Sequence, residues 1–396
     1  DSVSSLEILD QILESTEHAA LMSISYDFGL KLNQLSTRHK RTNEPDVFIS
    51  LYPALIVHDY NDGRTFLVGD ETYFDQIEDA LNSSVASPPA SSHGDSSLDP
   101  EMNEELYIGL VTDIQEMIRT GMTYQTNLTQ RIEITGGAVE SPELIFQRLR
   151  IVHPTAFAAF LRRENDIVVS ASPERFFKIH RGRIETSPIK GTRRRGANKA
   201  EDEQLLKELS ESAKDRAENI MIVDLLRNDL GRICRFGSVN ADKLCEIEEH
   251  TTLFHMVSTI SGHLNPDLRF SDVLSALFPC GSITGAPKIS TMKLIDQLEL
   301  SSRGLSMGAV GMMIPDSFGI ISEDKSPERK ADGNVFERKY FDFSVAIRTL
   351  VIRNGRAAFN VGGGVVIDSD PADEYQESLL KAAALLNAVG TNDSPR

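Results

Sequence analysis

Cysteine is scarce in this 396-residue sequence, which contains only Cys234, Cys245 and Cys280. Three cysteines are too few for a disulfide framework, and these lack the spacing of a zinc site. The sequence also lacks a signal peptide and any apolar run of membrane-spanning length. We therefore expect a protein of a reducing compartment, either the cytoplasm or a plastid reached through a targeting peptide outside this sequence.

Positive charge is also in deficit, since 41 Lys and Arg residues face 59 Asp and Glu residues, a net charge of −18. This balance argues against a general nucleic-acid binder and against a protein that binds anionic membranes. An anionic substrate is still possible, because a local cationic pocket can lie within an acidic protein. The sequence begins with Asp1 rather than Met, so we expect an excerpt of a longer polypeptide.

The composition is that of an ordinary globular protein, with 40% hydrophobic and 25% charged residues. Its apolar patterns predict short strands and separate helices, and hence an α+β fold or a two-layer α/β sandwich. Two polar stretches, 81–100 and 315–336, are interpreted as loop insertions, and the first is Ser- and Pro-rich and flexible. Helices are predicted over 5–20, 102–120, 200–230 and 372–388, and a hairpin turn at Asn61-Asp-Gly63.

Two of the predicted helices each carry a pair of carboxylates three residues apart, on one helix face. Asp215 and Glu218 form the first pair, and Glu374 and Glu377 the second, with Lys381 one turn further along. Such helices can together hold one Mg²⁺, which prefers oxygen ligands and keeps water or substrate oxygens in its shell. The alternative is that both pairs form solvated acidic faces.

Two further segments are candidates for binding an anion through backbone N–H groups. Gly362, Gly363 and Gly364 follow a predicted strand just before the second acidic helix, and glycine lets a backbone approach a ligand closely. Thr284 lies in the segment 279–288, whose hydroxyl and N–H groups precede a helix. A tight turn or β-bulge is the alternative for the first segment, and an ordinary capped turn for the second.

Lys190 stands at the end of a predicted strand, after an apolar residue and before Gly191 and Thr192. A partly desolvated lysine loses proton affinity and can act as a nucleophile or a base. The run Arg193–Arg195 that follows is more typical of a solvated loop. Three isolated residues are further candidates, although a His between apolar residues is usually a core residue: Glu174, His255 and Arg348.

Taken together, these segments resemble the chorismate-utilising enzymes, a family that includes anthranilate, aminodeoxychorismate, isochorismate and salicylate synthases. The resemblance runs from Ser25-Tyr-Asp-Phe-Gly29 to about Leu386. So many matches in one order are specific, whereas any one of them alone is weak. The motifs are YQTNLTQR (124–131), SPERFF (172–177), SPIKGT (187–192), the run 214–234, GSITGAPK (281–288), FSVAIRT (343–349) and GGGVVIDSDPADEYQESLLKA (362–382).

Within this family, Lys190 is similar to the lysine of the aminodeoxychorismate synthases, where anthranilate synthases have Ala. The resemblance therefore implies a glutamine-dependent transferase of the transaminase class that makes 4-amino-4-deoxychorismate, the precursor of p-aminobenzoate and folate. It implies that Lys190 attacks C2 of the ring while Glu174 protonates the departing C4 hydroxyl. Ammonia would then add at C4 and displace the lysine.

The resemblance also implies how ligands are bound. Glu218 and Glu377 would hold Mg²⁺, with Asp215 and Glu374 acting through water. The remaining candidates would contact or surround the substrate: Gly191, Thr192, His255, Thr284, Arg348, Gly362, Gly363, Gly364 and Lys381.

The implied fold is one large sandwich of two facing β-sheets, with helices outside and the site between the sheets. Residues 1–80 would be its N-terminal part, shorter than is usual in the family, and 101–390 the chorismate-binding part. Ammonia would come from a glutamine amidotransferase, either separate or fused upstream. The alternatives are an anthranilate synthase component I, an isochorismate or salicylate synthase, a pyridoxal-phosphate enzyme, and an inactive chorismate-binding subunit that scaffolds an amidotransferase.

Overall fold

Two antiparallel β-sheets form the framework of the protein. The computed structural model describes residues 2–83, 96–136, 139, 141–250, 253–320 and 334–390. The strands in these ranges are β1 (Ala19–Ile24), β2 (Val47–Tyr52), β3 (Ala54–Asp59), β4 (Arg64–Gly69), β5 (Ser96–Pro100), β6 (Gln125–Gly136), β7 (Phe157–Arg162), β8 (Ile167–Ser172), β9 (Arg175–His180), β10 (Arg183–Ser187), β11 (Ile189–Arg194), β12 (Asn240–Glu249), β13 (Leu253–His263), β14 (Gly285–Ala286), β15 (Ala309–Pro315), β16 (Lys339–Val345), β17 (Thr349–Arg353) and β18 (Arg356–Val365).

The first sheet, sheet A, has the strand order β11-β13-β10-β9-β16-β15-β1-β2, with β12 paired to β13. The second, sheet B, has the order β14-β6-β18-β17-β8-β7, with β5 paired to β6, and β3 and β4 form a separate hairpin. Strands β1 and β2, from the first 80 residues, thus complete the same sheet that contains Lys190 on β11.

Most α-helices of the described residues pack on one of the two sheets, whereas α3 has no buried residue. None of them is long and apolar enough to cross a membrane. They are α1 (Ser2–Ser15), α2 (Tyr26–Leu32), α3 (Phe74–Ser83), α4 (Glu104–Arg119), α5 (Pro142–Val152), α6 (Lys199–Glu211), α7 (Ala213–Gly231), α8 (Phe270–Leu277), α9 (Lys288–Leu298), α10 (Val335–Arg338) and α11 (Pro371–Val389).

Apolar side chains join these elements into layers. One core cluster packs α1, α2, α7 and α8 on sheet A, and another packs α5 and α11 on sheet B. A smaller cluster joins the sheets to each other through Val310 of β15, Val168 of β8 and Val351 of β17. The arrangement of two facing sheets with helices outside confirms the fold expected from the sequence.

Three predicted elements differ from the structure. The helix predicted over 5–20 ends at Ser15, and β1 begins four residues later, between β15 and the edge strand β2 of sheet A. The helix predicted over 200–230 is two helices, because Ser212 ends α6 and its side chain caps the N-terminus of α7. At the end of the predicted insertion 81–100, Ser96–Pro100 forms a strand on β6.

The rest of the two predicted insertions lies largely outside the described residues, which omit 84–95 and 321–333. The described ends of 315–336 carry a single 3₁₀ turn, Asp316–Phe318, and the short helix α10. The interpretation of both stretches as insertions therefore stays a prediction.

Candidate active site

The side chain of Lys190 reaches from sheet A towards sheet B. Its Nζ lies 3.5 Å from the position that a Cβ would take on Gly364, which belongs to β18 of sheet B. The same position lies 2.3 Å from Nε2 of Gln125 on β6. Only a residue without a side chain fits there unless Gln125 moves, so Gly364 lets the side chains of Gln125 and Lys190 approach β18 closely.

Glu174 is a buried carboxylic acid that interacts with Lys190. It lies between β8 and β9, and its side-chain atom Oε1 has no hydrogen-bond partner among the described residues. Burial raises the pKa of Glu174, while the Ser282 hydroxyl, the charge of Lys190 and the N–H of Ile189 act in the opposite direction. A carboxyl group with a raised pKa that interacts with a lysine is suited to act as a proton donor next to a nucleophile.

The two acidic helices, α7 and α11, each bring a carboxylate near the other, since Glu374 acts on the pKa of Glu218. Burial raises the pKa of Glu218 on α7, and the charges of Lys190 and Lys214 partly offset this effect. Burial also raises the pKa of Glu374 on α11, whose Oε1 accepts a hydrogen bond of 2.7 Å from the Ser369 hydroxyl. Glu374 disfavours ionisation of Glu218, whereas Lys190 favours it, so the two acidic helices and the lysine interact electrostatically.

Glu377 and Lys381, one turn apart on α11, form an ion pair of 2.8 Å. Burial alone would raise the pKa of Glu377, but the ammonium group of Lys381 and its hydrogen bond outweigh burial, so the pKa is lowered. Lys381 also donates to the carbonyl of Gly362 at 2.9 Å. A Cβ on Gly363 would lie 3.0 Å from Oε2 of Glu374 and 3.4 Å from Nζ of Lys381, so β18 passes directly beside this cluster.

The carboxylates suit a hard divalent cation in their chemistry. In the described part of the chain, no three acidic, His or Cys side chains converge closely enough to hold a metal ion by themselves. Glu374 is buried, Glu218 is half-buried and Glu377 is exposed, and a divalent cation bound by these carboxylates would complete its shell with water or substrate oxygens. Asp215 interacts with other groups, because its Oδ2 lies 3.0 Å from Arg193.

Arg348 is a largely buried guanidinium group. Burial lowers its pKa, and no hydrogen bond or ion pair of its side chain occurs within the described residues. Its φ of 49° lies in the left-handed region, a strained conformation for a residue with a side chain. An unpaired buried guanidinium is suited to binding a carboxylate.

Burial lowers the pKa of His255 to about 4, and the nearby His250 and Arg348 act in the same direction, so the imidazole is neutral near pH 7.

Three of the predicted substrate-binding residues have other contacts. The Thr284 hydroxyl donates to the carbonyls of Cys280 and Gly281 at 3.0 and 3.2 Å, within its own turn. Gly191 faces α6 and α7, since a Cβ there would lie 2.9 Å from Cγ of Asp215. Thr192 is exposed. Contact of these residues with a substrate therefore stays a prediction.

Gln125 is a site residue that the sequence reasoning missed. It is fully buried, and neither Nε2 nor Oε1 has a hydrogen-bond partner among the described residues. Such an amide is costly to bury unless a ligand or water completes its hydrogen bonds. The signal available was a polar residue inside the motif 124–131, on a strand rather than in a loop.

Comparison with known proteins gives the following similarities. A family model described as chorismate binding enzyme matches residues 2–320 and 333–387. The chain is 43% identical over 286 residues to an aminodeoxychorismate synthase of Streptomyces griseus, covering 72% of this chain and 36% of that protein. It is 34% identical to the aminodeoxychorismate synthase component 1 of Escherichia coli K12, covering 97% and 82%.

Among solved structures, anthranilate synthase component I from Streptococcus pneumoniae superposes with a TM-score of 0.80 at 27% identity, covering 96% of this chain and 85% of the other.

The coverage of the Streptomyces griseus relative shows a difference in length. The chain spans only about a third of the Streptomyces griseus relative, so relatives of this kind contain parts that have no counterpart in this sequence.

Proposed function

The chain belongs to the family of chorismate binding enzymes, and from that premise we propose that it converts chorismate and ammonia to 4-amino-4-deoxychorismate. The relatives named aminodeoxychorismate synthase support this branch of the family. The single observation that carries the proposal is the position of Lys190, an amine that interacts with buried Glu174 and faces Gly364 of the other sheet.

The proposed reaction uses these two side chains in succession. The neutral amine of Lys190 forms a bond to C2 of the ring, both ring double bonds shift, and the C4–O bond breaks. Glu174 gives its proton to the departing hydroxyl, which leaves as water. Ammonia then forms a bond to C4, the double bonds shift back, and the bond between C2 and Lys190 breaks.

The carboxylates and cations around this pair account for binding of a dianionic substrate. Glu218 and Glu377, with Glu374 close by, would hold Mg²⁺, and the ion would supply positive charge for the ring carboxylate in an otherwise acidic site. Arg348 and the backbone at Gly363 are suited to bind the second carboxylate. His255 is neutral at the working pH and adds no charge to the pocket.

The source of ammonia is part of the proposal. We propose that a glutamine amidotransferase supplies it, as a separate subunit or as part of a longer chain. The difference in length between this sequence and the Streptomyces griseus relative is compatible with either arrangement.

A second candidate is amination at C2, the reaction of an anthranilate synthase. The fold similarity to the Streptococcus pneumoniae enzyme favours it, because the two chains share most of their architecture. Lys190 distinguishes the candidates: an amine that occupies C2 during turnover directs ammonia to C4.

The test is a product assay on the purified chain with chorismate, Mg²⁺ and ammonium salt, with and without added aminodeoxychorismate lyase. Formation of p-aminobenzoate that depends on the lyase is the expected result, together with a Lys190 adduct in rapidly quenched intact-mass spectra. Anthranilate formed without lyase would show the second candidate to be correct. Binding of chorismate with no product would show that the chain is an inactive binding subunit.

A further inference from the structure

A buried arginine lies behind the candidate site, outside the set of residues assigned to the reaction. Arg303 follows α9, and its side chain is only 2% exposed. Its Nη1 donates to the carbonyl of Ile283 at 2.9 Å, and its Nη2 donates to the carbonyl of Asn127 at 2.7 Å. One guanidinium therefore joins two backbone segments that are far apart in the sequence.

The orientation of Arg303 is itself fixed. Its Nε and Nη2 donate to the two carboxylate oxygens of Glu299, at 2.9 and 2.6 Å. The carboxylate in turn accepts from the backbone N–H and the hydroxyl of Thr129, both at 2.8 Å. The ring of Tyr26 lies 4.5 Å from the guanidinium carbon. A planar group held on both edges and on one face has little freedom to rotate.

Both backbone segments lead directly to the reacting groups. Ile283 follows Ser282, whose hydroxyl lowers the pKa of the Glu174 carboxyl group against the effect of burial. Asn127 is two residues from Gln125 on β6, and its N–H donates to the carbonyl of Thr284 at 2.8 Å. The turn that carries Ser282 and the strand that carries Gln125 are thus held together by Arg303 and by this backbone bond.

We propose that Arg303 is a positioning residue of the reaction, which holds Ser282 against Glu174 and Gln125 beside Lys190 through the carbonyls of Ile283 and Asn127. This inference rests on the proposed function. Lysine cannot replace arginine in this role, because one ammonium group cannot reach both carbonyls and both oxygens of Glu299 in a plane.

The test compares Arg303→Lys with a matched control, Arg163→Lys. Arg163 is equally buried, with its side chain 2% exposed, and it pairs with Asp166 at 2.5 and 2.9 Å. Its other polar contacts are Ser23 and Glu44, which are not residues of the candidate site. Both variants lose one buried guanidinium fork, so a purely structural effect should be similar in the two.

The first measurement is hydrogen–deuterium exchange of the ligand-free chain, which needs no activity. Arg303→Lys should increase exchange at least threefold in the peptides that cover 125–129 and 281–286, and Arg163→Lys should not. Equal exchange in these peptides for the two variants would overturn the positioning role. If the wild-type chain forms no product, the proposed function fails. The exchange comparison then still decides whether Arg303 holds the segments 125–129 and 281–286 in place.

The second measurement is the pH dependence of kcat for the active enzyme. The Ser282 hydroxyl favours the ionised form of Glu174, so its displacement should raise the pKa of that acid and move the basic limb of the profile to higher pH. Ser282→Ala should shift the limb in the same direction, and the double variant should shift it no further than the larger single effect. Additive shifts, or a limb unchanged in Arg303→Lys, would show that Arg303 does not act through Ser282.

Discussion

Lys190 and Gly364 lie opposite each other between the two sheets, with 3.5 Å between the lysine Nζ and the position of a Cβ on the glycine. The two residues come from different sheets, so this contact depends on how the sheets face each other. Gln125 lies against the same Cβ position, so a side chain added at position 364 would disturb two groups of the site at once.

We expect Gly364→Ala to lower kcat/KM at least tenfold while the melting temperature changes little. The added methyl group would lie 2.3 Å from Nε2 of Gln125, so the amide must move, and we expect it to move into the region where we propose that the substrate binds. Gly109→Ala on α4 is the control, because no atom lies within 4 Å of its Cβ position. The control should keep its activity and gain up to about 1 kcal/mol in helix stability. Wild-type kcat/KM in Gly364→Ala would contradict the proposed position of the substrate.

Lys190→Ala should reduce formation of the 4-amino product by a factor of about 1000 or more, because the covalent route is lost. The adduct seen by intact-mass spectrometry should disappear as well. Lys178→Ala is a suitable control, since Lys178 lies on β9 of the same sheet and pairs with Glu185 at 3.5 Å. Retention of the 4-amino product in Lys190→Ala would remove the lysine from the mechanism.

The carboxylates should differ in their contributions to metal affinity. Glu218→Gln and Glu377→Gln should each weaken binding of Mn²⁺ alone at least tenfold in a calorimetric titration, because each removes one charged oxygen ligand. Asp215→Asn should weaken it by a smaller factor, because we expect Asp215 to act on the ion through water rather than as a direct ligand. An equal loss in all three variants would show that Asp215 binds the ion directly.

Asp27, outside the site, should make stability depend on pH. Burial, the first cause, raises its pKa from 3.8 to about 6, so the folded state binds this proton more tightly than the unfolded state does. The resulting stabilisation is complete below pH 3.8 and is lost as pH rises through about 6. A pKa difference of this size corresponds to about 3 kcal/mol at most.

Asp27→Asn should therefore become more stable relative to wild type as pH rises from 4 to 7, measured as urea midpoints. Asp79→Asn, at an exposed position of α3, removes the same charge without burial and should show no such trend. A constant stability difference between Asp27→Asn and wild type across this range would contradict the raised pKa.

Local patterns in the sequence predicted the local parts of the fold. The hairpin turn at Asn61-Asp-Gly63 joins β3 and β4, because its signal needs only adjacent residues. Strand β1 was missed for a physical reason: Ala19–Ile24 is buried almost throughout, so it shows no alternation of apolar and polar residues. The break at Ser212 was missed because apolar periodicity continues across it, although serine is a favoured N-cap.

The same distinction between local patterns and contacts between elements applies to the candidate site. The carboxylate pairs on α7 and α11 follow from spacing within one helix, Lys190 was a candidate from its position at a strand end, and the family resemblance supplied the roles expected of Lys190 and Glu174. The roles of Gln125 and Arg303 depend on partners in other elements, such as Gly364 for the amide and Ile283 for the guanidinium. No pattern within one segment shows which buried polar group faces an open space and which one joins two backbones.

The division of the site between the two sheets has a consequence for how loss of structure relates to loss of activity. Each sheet has its own apolar cluster with its own helices, and a smaller cluster joins the two sheets. We therefore expect the contacts between the sheets to open before the sheets themselves unfold. Such an opened form would keep most of its secondary structure while separating Lys190 from Gly364. Turnover is therefore a reporter of the docking of the two halves, and in a denaturant series it should vanish no later than the circular dichroism signal.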